Sequence, residues 1–581
     1  MKRIKQLIIF GCSIFSFISC ENVLDKYPLD KVTEEVFWKN AKDMELYSNK
    51  FYSCFPDHRK NDWNGGSFRD YNSDNEYMSL DNISFLNGKR TVPTNKDDNN
   101  WNWENIRAVN YFFENYEKVE ADYESIRQFI GEMYFFKSWY YFNLLKRYGN
   151  LPWYDRVLSL DSEELYDPRV SRATIADSII ANLDRAIIHL QDKQSVPQDR
   201  FSRDLAIAFK ARVCLYEGTW EKYHSGDDFG TKEENGERFL RKAVEAAETL
   251  MDGTYSLSVL GNGDPAENYR TLFIQSDYSS NSEILFWKKY NQELGYAHNL
   301  ERNACYERGV TKSLIDSYLC KNGMPIYTSE GKNSDYQGDL SLEDVVKNRD
   351  PRLLATIFMP GDPRFINYAT NDTLAKVQIR LAGAEKMPTG YHLKKGYSLD
   401  NSQNSLGAGI TGAITIRYAE VLLIYAEAKA ELGILNQSDL DKSINLLRSR
   451  VGMPSLTMEV PYVDPNWEFP QLSPIMNEIR RERRVELAFE NFRNDDLMRW
   501  AAADELIVGK RPKGMRFVQE LYLDIRPGID VFVDNEGYLD PLQSQVPNGY
   551  GFNIKRDYLY PLPLNELVLN PNLGQNPGWS E

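Results

Sequence analysis

Histidine is scarce in this chain of 581 residues. His58, His189, His224, His298 and His392 are dispersed, with no HExxH motif and no Cys/His spacing of the kind that ligates zinc. The chain also lacks a Walker A loop, a dinucleotide-binding glycine fingerprint and a GxSxG elbow. These absences leave no expected metal or cofactor and argue against nucleotide-dependent and serine-hydrolase chemistry. A two-carboxylate glycosidase needs only a fixed separation of acids in space, which sequence cannot exclude among 85 Asp and Glu residues. Cysteine is sparse too, with six residues and no CxxC. Of the four beyond the N-terminal segment, Cys54, Cys214, Cys305 and Cys320 permit three pairings and nothing in the sequence chooses among them. Cys214 sits in an apolar helical pattern and reads as a buried small hydrophobe. Positive charge is in deficit: the formal charge is −16, and −19 once Lys2, Arg3 and Lys5 are removed. Such a chain is a poor partner for nucleic acid or anionic lipid, whereas a neutral ligand meets no penalty from its field. Aromatic residues, by contrast, are abundant at 13%, including 36 Tyr and 11 Trp.

Long apolar runs are absent except at the start. Lys2, Arg3 and Lys5 precede an apolar stretch from Leu7 to Ile18, too short to span a bilayer, and Ser19 leads into Cys20. The segment 1–19 reads as an export signal ending in a bacterial lipobox, which makes Cys20 the acylated first residue of the mature chain. Two or more acyl chains hold a protein stably where one holds it only marginally.

Helical patterns dominate the rest, over about 104–120, 130–149, 171–192, 203–220, 236–252, 414–433, 437–451 and 474–500. The segment Ile130 to Gly149 is apolar almost all round, as a helix in the middle of a domain should be, and Gly149 with Pro152 stops it. Two helix pairs echo each other, 205–218 with 238–253 and 417–433 with 439–452. In each, an alanine (Ala211, Ala426) lies seven residues before a closing glycine (Gly218, Gly433), as in tetratricopeptide repeats, where small residues let helices approach. Long polar stretches intervene at 54–100, 261–309, 360–412 and 505–556, with one short strand expected at SEILFWKKY. The expected fold is mainly α, with tetratricopeptide-like helix pairs as a scaffold, long irregular loops and a few short strands.

Five motifs, in order, carry a resemblance: CENVLDKYP after the lipobox, KSWYYFNLLKRYGNLPW (137–153), RYAEVLLIYAEAKAELG (417–433), EIRRERRVELAFENFRNDDLMRW (478–500) and YLYPLPLNELVLNPNLGQNPGW (558–579). They resemble the SusD-like (RagB/SusD) family from Cys20 to Glu581. The resemblance implies one SusD-like domain, with an N-terminal part over about 20–250 and a C-terminal RagB/SusD part over about 270–581. It implies a lipoprotein anchored outside the outer membrane, a SusC-like TonB-dependent barrel as partner, and capture of oligosaccharides without bond cleavage. Alternative cargoes within that architecture are peptides or another nutrient, and a third reading is a mechanical lid with little ligand affinity of its own. On the 478–500 segment, Glu478 with Arg481, Arg483 with Glu486, and Glu490 with Arg493 lie three apart and can pair on one surface, which suggests a helix partly covered by other polypeptide such as the C-terminal tail; that Pro-rich tail reads as an extended strap laid over the helices. These charges, Glu482 and Glu486 included, read as structural rather than catalytic.

A sugar offers apolar C–H faces to flat aromatic rings and a rim of hydroxyls to Asn, Asp or Arg. Two loop regions have that composition. The first supplies Trp63, Asp70, Tyr71 and Asn72, with Trp101 from the WNW run; the second supplies Tyr290, Tyr296, Asn299 and Arg302. The acidic stretch 341–353 is a weaker candidate for Ca²⁺, read more simply as solvated turns.

Overall fold

The computed structural model describes residues 37–58, 68–79, 83–197, 199–231, 235–261, 263–301, 309–362, 373, 375–381 and 387–579. The expected signal segment 1–19, Cys20, Trp63, Arg302 and Cys305 lie outside those residues. The chain is mostly α-helical with a few short paired strands. Its principal helices are α1 (Ala41–Asn49), α2 (Glu104–Asn115), α3 (Tyr123–Tyr148), α4 (Arg172–His189), α5 (Arg203–Tyr223), α6 (Glu237–Thr249), α7 (Tyr418–Glu431), α8 (Ile444–Arg450), α9 (Pro474–Glu486) and α10 (Arg493–Arg499). Strand β1 (Ile284–Lys288) pairs antiparallel with β2 (Ala413–Arg417).

Local chemistry sets the helix ends. Asp122 caps α3 by accepting from Ser125 N at 3.1 Å, and Ser171 caps α4 through Thr174 N at 3.2 Å. Helix α3 therefore starts seven residues before the apolar pattern begins, and it stops where Gly149 takes φ 70°. Helices α3 to α7 pack in chain order, each against the next, and α7 also packs on α9. In the α5/α6 pair, a Cβ on Gly218 would lie 2.8 Å from Leu240 Cγ and 3.0 Å from Gly236 O, so only glycine permits this approach. Gly433 acts differently. At φ 69°, with nothing near its missing side chain, it ends α7 rather than admitting a neighbour.

Three expected helices are interrupted. Residues 413–417, AITIR, form β2 because β-branched residues alternating along the chain suit a strand. The 437–451 pattern breaks at Lys442–Ser443 between two short helices. The 474–500 pattern breaks between α9 and α10, where Phe489 and Asn491 adopt φ 61° and 65°. An N-terminal loop holds that break open: Asp70 Oδ2 accepts from Phe489 N at 2.7 Å, and Arg69 O accepts from Asn491 N at 2.8 Å.

The charged helix is not zipped along one face. Only Glu478 and Arg481 pair as expected, at 3.2 Å. Arg483 turns to Asp496 (2.9 Å), and Arg493 to Asp74 (2.7 Å) and Glu468 (2.8 Å). Glu486 is fully buried between Arg417 (2.7 Å), Arg450 (2.5 Å) and Arg352 (2.9 Å). Burial pushes its carboxyl up, but the three guanidiniums overrule that and hold it well below the ordinary carboxylate range. The partners that cover these charges come from residues 74, 352, 417, 450 and 468, while the C-terminal tail straps the end of α3: Tyr560 N donates to Arg147 O (2.8 Å), Asn576 Nδ2 to Tyr148 O (3.1 Å), and Arg169 Nε to Leu573 O (2.7 Å).

Cys54, Cys214 and Cys320 are free thiols, and burial pushes the Cys214 thiol up to about 12. Among the described residues no helix is long and apolar enough to cross a membrane, and no group of three or more His, Cys, Asp or Glu is placed to hold a metal. In the 341–353 stretch, Asp350 caps a short helix and pairs with Arg352 at 2.7 Å.

Candidate functional site

Both loop regions singled out from the sequence meet at a stack of rings. After β1 the chain reverses between Asn291 and Tyr296, which exchange backbone hydrogen bonds of 2.7 and 3.0 Å. The reversal lays the Tyr296 ring on Tyr290, with centroids 5.2 Å apart and planes 10° from parallel. His58 stacks on Tyr290 (5.6 Å, 22°) and Phe68 on His58 (5.6 Å, 19°). His58 and Phe68 therefore stand in the same column as the tyrosines.

Hydrogen bonds lock the column. His58 N donates to the Tyr290 hydroxyl at 2.7 Å, and His58 Nε2–H donates to Gly412 O at 3.2 Å. His298 sits edge-on to Tyr290 (4.5 Å) and to His58 (4.7 Å). Its Nε2–H donates to Thr411 O (2.9 Å) and its Nδ1 accepts from Leu300 N (3.2 Å), which defines a neutral imidazole. Burial lowers its pKa to about 4, so the nearby Glu301 carboxylate, 3.5 Å away, faces an uncharged ring rather than an ion-pair partner. Gly409 lets the 399–412 loop close against this imidazole, since a Cβ there would stand 2.3 Å from His298 Nδ1. Only the last ring of the column is open: Tyr296 is 48% exposed while Tyr290 is 6% exposed. The column is thus a flat apolar face presented to solvent on a rigid, hydrogen-bonded support.

The other sequence candidates are placed differently. Trp101 is 2% exposed, edge-on to Trp103 (5.2 Å) and Tyr148 (4.8 Å), so it is a core residue and no stacking platform. Asp70 is buried, its Oδ2 engaged by Phe489 N and by Asn75 Nδ2 (2.8 Å). Burial raises the Asp70 carboxyl to about 7 despite those bonds. Tyr71 carries the Arg69 guanidinium over its ring at 4.0 Å, and Asn72, at φ 56°, accepts from Asn494 Nδ2 through its carbonyl at 2.8 Å. Asp70 and Asn72 hold the break between α9 and α10. Asn299 is buried and accepts from Gly407 N at 2.6 Å, which braces the 399–412 loop. Tyr290 supports the exposed ring from beneath. His58 and Phe68 were missed as partners because they lie some 220 to 240 positions before the tyrosines, and nothing local in the sequence joins them; His298, two residues after Tyr296, lay within the singled-out loop but carries no mark of a packing partner.

The family model described as "SusD family" matches residues 267–579. The chain belongs to the SusD family. A second family model, described as "Starch-binding associating with outer membrane", matches residues 24–215. SusD-like protein P2 of Formosa agariphila is 23% identical over the whole of both chains. Among solved structures, a SusD-like protein of Bacteroides fragilis superposes with a TM-score of 0.70 at 23% identity, covering 95% of this chain and 100% of its own. A laminarin-binding SusD-like protein superposes with a TM-score of 0.55 at 20% identity (93% and 100% covered). A protein solved with a xylogluco-oligosaccharide reaches 0.59 at 17% identity (92% and 98%). At these identities the likeness shows that this SusD-family chain shares their fold.

Proposed function

We propose that this SusD-family protein is a surface glycan-binding lipoprotein that captures oligosaccharides and passes them to a SusC-like TonB-dependent barrel. The observation that carries the reading is the open ring of Tyr296 on its rigid column, a geometry suited to the C–H face of a pyranose. Its acidic, neutral-ligand-tolerant surface and the glycans named for two of its structural neighbours support it. Trp63 and Arg302 are the further residues assigned to the ligand. Acylation of Cys20 supplies the anchor to the outer membrane, with the body facing outward. The protein binds and does not cleave; Glu486, the most strongly perturbed carboxylate of the charged helix, is sealed among arginines where no substrate reaches it.

Affinity electrophoresis in gels cast with laminarin, xyloglucan or starch tests the reading. At least one polysaccharide is expected to retard the wild-type protein, and Tyr296→Ala is expected to abolish most of that retardation. If no glycan in a broad panel binds while oligopeptides do, the cargo is peptide and the reading fails.

A further inference from the structure

The break between α9 and α10 runs against local preference. Residues 474–500 carry the pattern of one helix, yet Phe489 and Asn491 stand at φ 61° and 65°, a region that bulky side chains avoid. Such a backbone persists only where its surroundings over-determine it. Two segments do so here. From one side, Asp70 Oδ2 accepts from Phe489 N (2.7 Å) and Arg69 O accepts from Asn491 N (2.8 Å). From the other, Lys395 Nζ donates to Glu486 O (3.2 Å), Ala488 O (2.9 Å) and Glu490 Oε1 (2.7 Å). Asp70, Lys395 and Phe489 are all buried.

The same two segments hold the foot of the ring column. Phe68, two residues before Asp70, stacks on His58. Gly396, next to Lys395, lies directly against that ring: a Cβ there would stand 2.2 Å from Phe68 Cδ2. Break, clamping segments and column are therefore one contiguous packed unit, joined through Phe68 and Gly396. One member of the clamp also titrates in an unusual range. Burial raises the Asp70 carboxyl to about 7 and the Glu76 carboxylate adds to this, against the bonds from Asn75 and Phe489 and the charge of Lys395. Among the described residues, Glu76 and Lys395 are the charged groups that face it, and each is paired in place. Glu76 meets Arg69 (2.5 Å), and Lys395 meets Glu490 (2.7 Å), which Arg417 also holds (2.7 Å). The closed arrangement thus keeps a proton that a solvated Asp70 would release.

We propose that Asp70 and Lys395 form a pH-responsive clamp on the α9–α10 break, and that this clamp sets how firmly the column beneath Tyr296 is held. In the closed form Asp70 carries its proton; opening hydrates and ionises it. Opening becomes easier as pH rises from about 4 to about 7 and levels off above that, so the column is held most firmly in acid. The clamp supports the ring whether or not a glycan binds there.

Hydrogen exchange of the full chain in detergent, read by mass spectrometry from about pH 4 to about pH 8, tests this. Protection of the Phe489, Asn491 and His58 amides is compared in wild type and Asp70→Asn, after correction for the intrinsic pH dependence of exchange. His58 reports on the column, because its N–H donates to the Tyr290 hydroxyl (2.7 Å). In wild type, protection at all three is expected to fall by up to about tenfold per pH unit until about pH 7 and then to level off. Asp70→Asn keeps the shape without the titration and should stay flat. A stretch of α3 serves as the reference and should show no such slope. Wild type without a slope overturns the clamp, whatever the variant does. A slope that survives in Asp70→Asn overturns the role of Asp70. A slope at Phe489 and Asn491 that is absent at His58 overturns the link to the column. The same slope in α3 would mean that the whole chain opens together and that no local clamp exists.

Discussion

The two halves of the molecule are built on different chemistry. Around α3 the core is aromatic: Phe55, Phe135, Phe136, Trp139, Phe201 and Phe209 interlock at centroid distances of 4.6 to 6.0 Å, in many orientations. Around α9 it is ionic: Arg352, Arg417 and Arg450 converge on Glu486, while Glu283 takes both Arg417 (2.9 Å) and Arg450 (2.9 Å). Rings repack when one is exchanged, since dispersion and burial are non-directional. A buried guanidinium does not, because its geometry is fixed and a lost partner leaves charge in a low-dielectric interior. Apolar exchange around α3 should therefore cost little outside buried pairs such as Arg200–Glu132 and Arg172–Glu217 (both 2.7 Å), whereas the cluster around α9 is pinned by specific pairs throughout. Those pairs fix β1 to β2 and both to α9, which is how long irregular loops keep a defined shape without regular structure.

Three substitutions break or sharpen that contrast. Glu486→Gln preserves shape but leaves three guanidiniums short of one negative charge; a loss of about 3–5 kcal/mol is expected from denaturant unfolding. Phe201→Met exchanges one apolar side chain for another in the aromatic half and should cost under about 1.5 kcal/mol. Equal costs for the two would erase the distinction. Asp70→Asn has an effect that depends on pH. The folded state raises the Asp70 carboxyl from the ordinary 3.8 to about 7, so the folded protein holds a proton that the unfolded chain releases. Its contribution is fully present below about pH 4 and is lost as pH rises through 7. Removing the titration should therefore stabilise the variant relative to wild type increasingly between about pH 4 and 7 and level off above that, read as the difference in thermal midpoint. A flat difference would place the Asp70 proton elsewhere.

Much of the helical half was legible in sequence because periodicity, caps and stops act locally. Gly149 and the apolar run of α3 act within a few residues of where they stand, while the start of α3 at the Asp122 cap lay seven residues before the apolar pattern and was not read from it. The loop-bearing half was legible only in composition. Phe489 and Asn491 break a convincing helix through bonds to Asp70 and Arg69, some 420 residues earlier, and no local signal announces that. The same distance effect sorts the site candidates. Asp70 and Asn299 had the right chemistry for hydroxyls but spend it on backbone partners, Asn72 is held through its main-chain carbonyl, and Trp101 was drawn into the core by Tyr148 and Trp103. Tyr296 was legible as an aromatic in a polar loop; its column of Tyr290, His58 and Phe68 was not.

The claim that bears the most weight is that the open face of Tyr296 meets the ligand. Titrating wild type and Tyr296→Ala with a glycan that retards the wild-type protein tests it directly, with thermal midpoints recorded alongside. We expect affinity to fall about tenfold or more while the midpoint stays unchanged, since the exposed ring packs on one side only. An affinity that holds within about twofold, with the fold intact, would contradict the account.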